Sequence, residues 1–430
     1  MKQIYTFIIL VLVAGQLSAQ MVAKSEAGPF LLRNATIHTI TSGDFTGDLY
    51  IKDDKIVQLG VNLRPEGKYT TIDCSGKHIY PGMIDAGTQL GLSEIESISV
   101  TNDFNEVGDL VPQMQALTAV NPNAVTIPVT RTNGITTALV APKGGRFPGT
   151  AAVIDLHGYT PEQMDAGFKG VVMNFPSSGR RGRWDRRSDE DIKKDSEKAL
   201  KKLDEIWADA VLYAKIDSAA NSQKTQITGY QPEMEALKSV INKTTLLLVE
   251  VNKSSDILLA IDWIKKTGVK AVLTGVAEGY RVASKIAEAG LAVITGPVLD
   301  TPRREYDKYD APYTNAAVMF KAGIKVAIRT DEAENVRNLP FNAGFAAAYG
   351  LGKEEALRAI TIVPAEILGM ADRYGSIEPG KVANLLICNG DPLETKTIVE
   401  HLFIRGWKIP MENRHTLLYD EFLKRSPGLK

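Results

Sequence analysis

The chain has 430 residues, 44% hydrophobic and 23% charged, with a formal net charge of −1; it is long enough for one large domain and a smaller one. The near-neutral balance excludes the electrostatic footprint of a nucleic-acid-binding protein. Two cysteines, Cys74 and Cys388, exclude a disulfide framework and leave open either one bridge or two isolated buried thiols.

Residues 1–20 read as a cleavable signal peptide. Lys2 supplies the positive start, Ile4 to Ala14 the apolar core, and Leu17-Ser18-Ala19 a cleavage signal before Gln20. The apolar run is too short to span a bilayer, and Gly15 and Gln16 interrupt it. No cysteine follows it to carry a lipid. The expectation is a mature protein free in a periplasm or secreted, with no membrane contact after cleavage.

From residue 21 to 80 the pattern is short strands and turns. Phe30-Leu31-Leu32, Ala35-Thr36-Ile37, Leu49-Tyr50-Ile51 and Lys55-Ile56-Val57 are β-rich, with turn formers at Ser42-Gly43-Asp44 and Lys52-Asp53-Asp54. From 81 to 370, apolar runs of strand length alternate with helical segments. Thr136–Val140, Gly170–Met173, Leu246–Val249, Ala271–Leu273, Ala292–Ile294 and Val326–Ile328 are buried-strand candidates. Asp189–Tyr213, Gln231–Ile241, Asp256–Lys266, Tyr280–Ala289 and Asn315–Ala322 are helical. This alternation implies an α/β architecture, a (β/α)8 TIM-type barrel of parallel strands with crossover helices. Asp189–Tyr213, long and lysine-rich, reads as an excursion on its rim. The basic residues Arg180, Arg181, Arg183, Arg186 and Arg187 run straight into Asp189, Glu190 and Asp191, the pattern of a solvated loop entering a helix. From 371 to 430 the β style returns at Ala383–Cys388 and Val399–Ile404, so both termini are expected to share a composite β-sandwich.

These segments carry a resemblance. Pro81-Gly82-Met83-Ile84-Asp85, Ala356–Thr361 with Pro364-Ala365, Gly375–Asn384 and Asn389–Pro392 follow in an order and spacing that resembles the amidohydrolase superfamily, and within it the branch near imidazolonepropionase. The resemblance implies a hydrolase of carbon–nitrogen bonds other than peptide bonds, with a divalent metal held at the barrel mouth. It places metal ligands at positions that here hold Gly87, Gln89, Glu250, Gly275 and Asp331. The family's Asp-x-His-x-His reads Asp85-Ala86-Gly87-Thr88-Gln89 in this chain, and only the aspartate after the last strand, Asp331, survives.

The histidine inventory agrees. Of His38, His78, His157, His401 and His415, only His157 falls between Pro81 and Met370, in a segment that reads as a loop. Zinc and iron favour imidazole, thiolate and carboxylate donors, so no resident metal or other cofactor is expected. Gln89, Glu250 and Asp331 leave open a weakly held hard divalent ion. Asp331 is either a general base for water or an acceptor for loop amides. Asn102, Asp103 and Asn338 are further candidates for ligand contact, and the glycine-rich loop Lys143–Thr150 is either an anion cradle or a tight turn. Three readings follow: a carbon–nitrogen hydrolase working without the usual metal, a silent barrel that binds a small molecule, or a partner subunit in a homo- or hetero-oligomer with an intact amidohydrolase.

Overall fold

The computed structural model describes residues 24–425 except 96, 180–184, 224–228, 303 and 305–306. The signal-peptide reading of residues 1–20 lies outside them, as do Arg180, Arg181 and Arg183.

The strands, in chain order, are β1 (Phe30–His38), β2 (Asp44–Lys52), β3 (Lys55–Gly60), β4 (Thr70–Asp73), β5 (His78–Pro81), β6 (Met83–Thr88), β7 (Ile135–Val140), β8 (Gly149–Asp155), β9 (Asp165–Asn174), β10 (Leu246–Val251), β11 (Ala271–Gly275), β12 (Val293–Thr295), β13 (Val326–Ile328), β14 (Leu385–Cys388), β15 (Val399–Ile404) and β16 (Trp407–Ile409).

Strands from both termini form one sheet in the order β16-β15-β14-β5-β1-β2-β3, with β4 also paired to β1. Phe30-Leu31-Leu32 and Ala35-Thr36-Ile37, separate runs in the sequence, are one strand. The register against β2 slips between Leu32 and Ala35, where Asn34 takes φ 61°, a bulge geometry that asparagine tolerates. Phe30 in β1 and Phe403 in β15 are not neighbours in that order, yet their rings meet edge-on at 5.2 Å. The sheet therefore folds over its own core of Leu32, Ile37, Leu49, Ile79 and Leu385, as a composite sandwich does. Cys74 and Cys388 are both buried free thiols.

The second sheet, of eight strands, runs β13-β12-β11-β10-β9-β8-β7-β6 and curls into a nearly closed barrel. The gap between its end strands is bridged by the segment Ala359-Ile360, whose carbonyls accept Ile328 N–H (2.9 Å) and Ile84 N–H (2.8 Å) respectively. Just past the strands, Asp331 N–H bonds the Gly87 carbonyl (3.0 Å) and Gln89 N–H that of Glu332 (3.0 Å). One strand departs from the all-parallel expectation. β8 is antiparallel to both β7 and β9, because the short loop from β7 cannot make the crossover that a parallel partner needs. Gly149 and Thr150, the end of the glycine-rich run, already belong to β8, and Asp155, read as loop, closes it.

Reversal of β8 carries Asp155 to the end of the barrel away from the strand C-termini. There it is fully buried and accepts hydrogen bonds from Asn384 Nδ2 (2.8 Å), Tyr374 OH (2.9 Å) and Thr137 Oγ1 (3.0 Å), with Arg405 Nε at 3.3 Å. Tyr374, Asn384 and Arg405 come from the C-terminal segment, so this one carboxyl ties that segment to the barrel. His157 lies at the same end, against Trp407 with ring centroids 5.9 Å apart. Burial, aided by the charges of Arg131 and Arg405, pushes its imidazole down to about 4, so it is neutral at pH 7.

The helices form the outer layer. Ser254–Thr267 turns its apolar side to the barrel through Ile257, Ala260, Ile261 and Ile264, and ends on Gly268 at φ 66°, whose N–H bonds the Ile264 carbonyl. The long helix Asp189–Gln223 packs on this layer, with Trp207 edge-on to Trp263 at 5.2 Å. Among the described residues, no helix is long and apolar enough to cross a membrane.

Candidate active site at the barrel mouth

The C-terminal ends of β6, β7, β9, β10, β11 and the segment after β13 surround a cavity of about 330 Å³, within the range of small-molecule sites. Its floor is apolar (Leu139, Val172, Leu248) and its polar groups are few: Gln89, Lys143, Asn174, Thr274 and a cluster around Arg329.

Arg329 follows β13, a strand that is otherwise wholly buried. Its side chain is 9% exposed, and the guanidinium forks onto Glu250, with Nη1 at 2.8 Å and Nη2 at 2.9 Å from the two carboxylate oxygens. Thr274 Oγ1 (2.8 Å) and Asn252 Nδ2 (3.0 Å) also donate to Glu250. Burial alone would raise the Glu250 carboxyl, but the charge and hydrogen bonds of Arg329 outweigh it and hold the group at about 2. Burial likewise acts to lower the Arg329 guanidinium, and the Glu250 and Asp331 charges reverse that, raising it above its usual value. Asp331 approaches the same cation at the nitrogen that also donates to Glu250, its Oδ2 3.6 Å from Arg329 Nη2 and its Oδ1 3.1 Å from Lys143 Nζ.

Behind this cluster, Asp85 is fully buried. It accepts from Thr330 Oγ1 (2.5 Å), Gly87 N–H (3.0 Å) and Thr330 N–H (3.2 Å). Burial raises its carboxyl to about 7 despite those bonds.

The structure brings Gly87, Gln89, Glu250 and Asp331 to one cavity. Gly275, at φ 80°, stands just beyond, where an added Cβ would come within 2.4 Å of Glu250 Oε1. Asn102, Asp103 and Asn338 are elsewhere. Asn102 accepts a bond from Ser93 Oγ at 2.6 Å in the loop after β6, Asp103 is exposed in the same loop, and Asn338 precedes helix Leu339–Ala346, where its carbonyl accepts Asn342 Nδ2. None of the three lines the cavity. Lys143 from the glycine-rich loop does line it. Arg329 stands two residues before Asp331 at the end of a buried apolar run, and a charged residue in that position is the signal the sequence offers for it.

The donor set does not suit a transition ion. Gly87 offers no side chain, and a Cβ there would lie 2.8 Å from Arg329 Cδ. Both carboxylates already face the guanidinium, and no group of three or more His, Cys, Asp or Glu side chains that could hold a metal occurs among the described residues. The partners of the Asp331 carboxylate are Lys143 and Arg329, not loop amides. Because its side chain is 25% exposed and that of Lys143 44%, Asp331→Asn is expected to shift stability by no more than about 1 kcal/mol, as read from the urea midpoint. A loss of several kcal/mol would instead mark Asp331 as a structural hub.

Comparison with known proteins agrees with this architecture. A solved amidohydrolase from Thermotoga maritima is similar over 90% of this chain and 100% of its own, with 26% identity and a TM-score of 0.79. A molinate hydrolase structure, 15% identical with a TM-score of 0.55 over 90% of this chain and 95% of its own, shares the fold. Among curated relatives, an imidazolonepropionase from Symbiobacterium thermophilum is 33% identical over 108 residues, 24% of either chain. An amidohydrolase from Hapsidospora irregularis, named tasK, is 20% identical over 88% of this chain. The matches span 24% and 43% of those relatives' own lengths. The amidohydrolase family model matches residues 79–408, the greater part of the sequence, and the chain belongs to that family.

Proposed function

We propose that the barrel mouth recognises a small cyclic amide or ureide, the kind of carbon–nitrogen compound handled by hydrolases of non-peptide bonds, and that it does so without a resident transition metal. Relatives named imidazolonepropionase and D-hydantoinase point to this substrate class. The observation that carries the reading is the cavity itself, which sets an apolar floor of Leu139, Val172 and Leu248 beneath the polar groups of Gln89, Lys143 and Asp331. A flat ring lies on such a floor. Its amide N–H meets the Asp331 carboxylate, and its carbonyl oxygen meets Lys143 or Gln89.

Asp331 is also the group placed to take a proton from an attacking water. A carboxylate working without a metal to make that water acidic is a slow catalyst, so on this reading binding is the dominant property. The decisive experiment is a thermal-shift screen of cyclic ureides, imidazolones and dipeptides, run in chelator. A cyclic ureide or imidazolone is expected to raise the melting temperature by a few degrees, unchanged by the chelator. A screen with no shift, or a shift that needs added metal, would sink the reading.

A further inference from the structure

We propose that Arg329 is a built-in cation: its guanidinium sits in a latent oxygen-donor site formed by Gln89, Glu250 and Asp331 and keeps divalent ions out. This rests on the reading of the mouth as a site without a resident metal and adds what fills the place.

Three features of the structure converge. The side chain runs past Gly87 so closely that its Cδ lies 2.8 Å from where a Cβ would be; a histidine at that position and Arg329 in this pose exclude each other. The guanidinium also meets both carboxylates, forked on Glu250 at 2.8 and 2.9 Å and 3.6 Å from Asp331. Finally, Arg329 with Lys143, which is 3.1 Å from Asp331, supplies the positive charge that two carboxylates facing one cavity require. Two single charges then do the electrostatic work of one divalent ion. Glycine at position 87 is the condition for the arrangement, since any side chain there collides with the arginine stem.

Trimming the arginine should therefore unmask the site. Without the side chain, Glu250 and Asp331 face a space that the guanidinium filled, in a cavity that Gln89 also lines, and hard ions such as calcium or manganese accept oxygen donors of this kind. The experiment compares melting temperatures of the full chain and of Arg329→Ala, each stripped with chelator and then titrated with calcium or manganese. Arg329→Ala is expected to gain about 3–5 °C at saturating ion while the unaltered chain does not move. Equal responses in both proteins would overturn the proposal, and so would no response from an Arg329→Ala chain whose far-UV circular dichroism is native. If that variant does not fold in chelator, Arg329→Gln, which keeps a donor for Glu250, takes its place under the same expectation. Metal bound to the unaltered chain would defeat the functional reading above; a metal-free chain with an unresponsive variant would defeat this proposal alone.

Discussion

Arg329→Met is expected to lower stability by about 3–5 kcal/mol, the usual cost of removing one partner from a buried ion pair. The methionine fills space but leaves Glu250 facing an apolar stem, with only Thr274 and Asn252 still donating to it. Glu250→Gln combined with Arg329→Met should recover much of the loss, because no uncompensated charge then remains in the cavity. The effect depends on pH in a fixed direction. Glu250 titrates at about 2 in the fold against an ordinary value of 4.5, so its contribution is fully present above pH 4.5 and fades as pH falls toward 2. The gap between the unaltered chain and Arg329→Met, read as urea midpoints, should accordingly narrow over that interval. A single variant within about 1 kcal/mol of the unaltered chain at pH 7 would mean that the pair contributes no more than an ordinary surface contact.

Asp155→Leu is expected to cost at least as much, about 3–5 kcal/mol, and at a place remote from the cavity. The change leaves Tyr374 OH, Arg405 and one donor hydrogen of Asn384 without the acceptor they share at the foot of the barrel. Each is a buried or half-buried donor whose loss of partner carries its own penalty. Since those residues belong to the C-terminal segment, limited proteolysis should show earlier cutting there than in the barrel. An Asp155→Leu protein with unchanged melting temperature and unchanged proteolysis would show that the two parts are joined by packing alone.

The sequence was most informative where burial and periodicity act together. Leu246–Val249 and Val326–Ile328 are strands because apolar side chains run unbroken through a layer covered on both faces. β8 escaped because its residues, Gly149-Thr150-Ala151-Ala152-Val153-Ile154-Asp155, are small at the start and polar at the end. A glycine-led run next to Pro148 reads as loop. Its reversed direction had no signature at all, since strand polarity follows from the length of the connection and not from composition.

The site shows the same division. Asp331 and Glu250 stood out because motif order fixes which strand end each occupies, and the fold then delivers both to one cavity. Gly87 and Gln89 were legible as the residues standing where the resemblance expects histidines. The Arg329–Glu250 pair was not legible, because it joins residues 79 positions apart and only closure of the barrel brings them together. Asn102, Asp103 and Asn338 lie near the right segments in sequence only. Loop geometry instead commits the Asn102 side chain to Ser93 and places the Asn338 backbone carbonyl as the acceptor of Asn342.

Elemental analysis of the purified chain, after dialysis against a weak chelator, bears on the central claim most directly. A barrel mouth closed by its own guanidinium should carry zinc, iron and manganese far below one equivalent. A full equivalent of any of these, lost together with the melting temperature when a strong chelator is added, would contradict it.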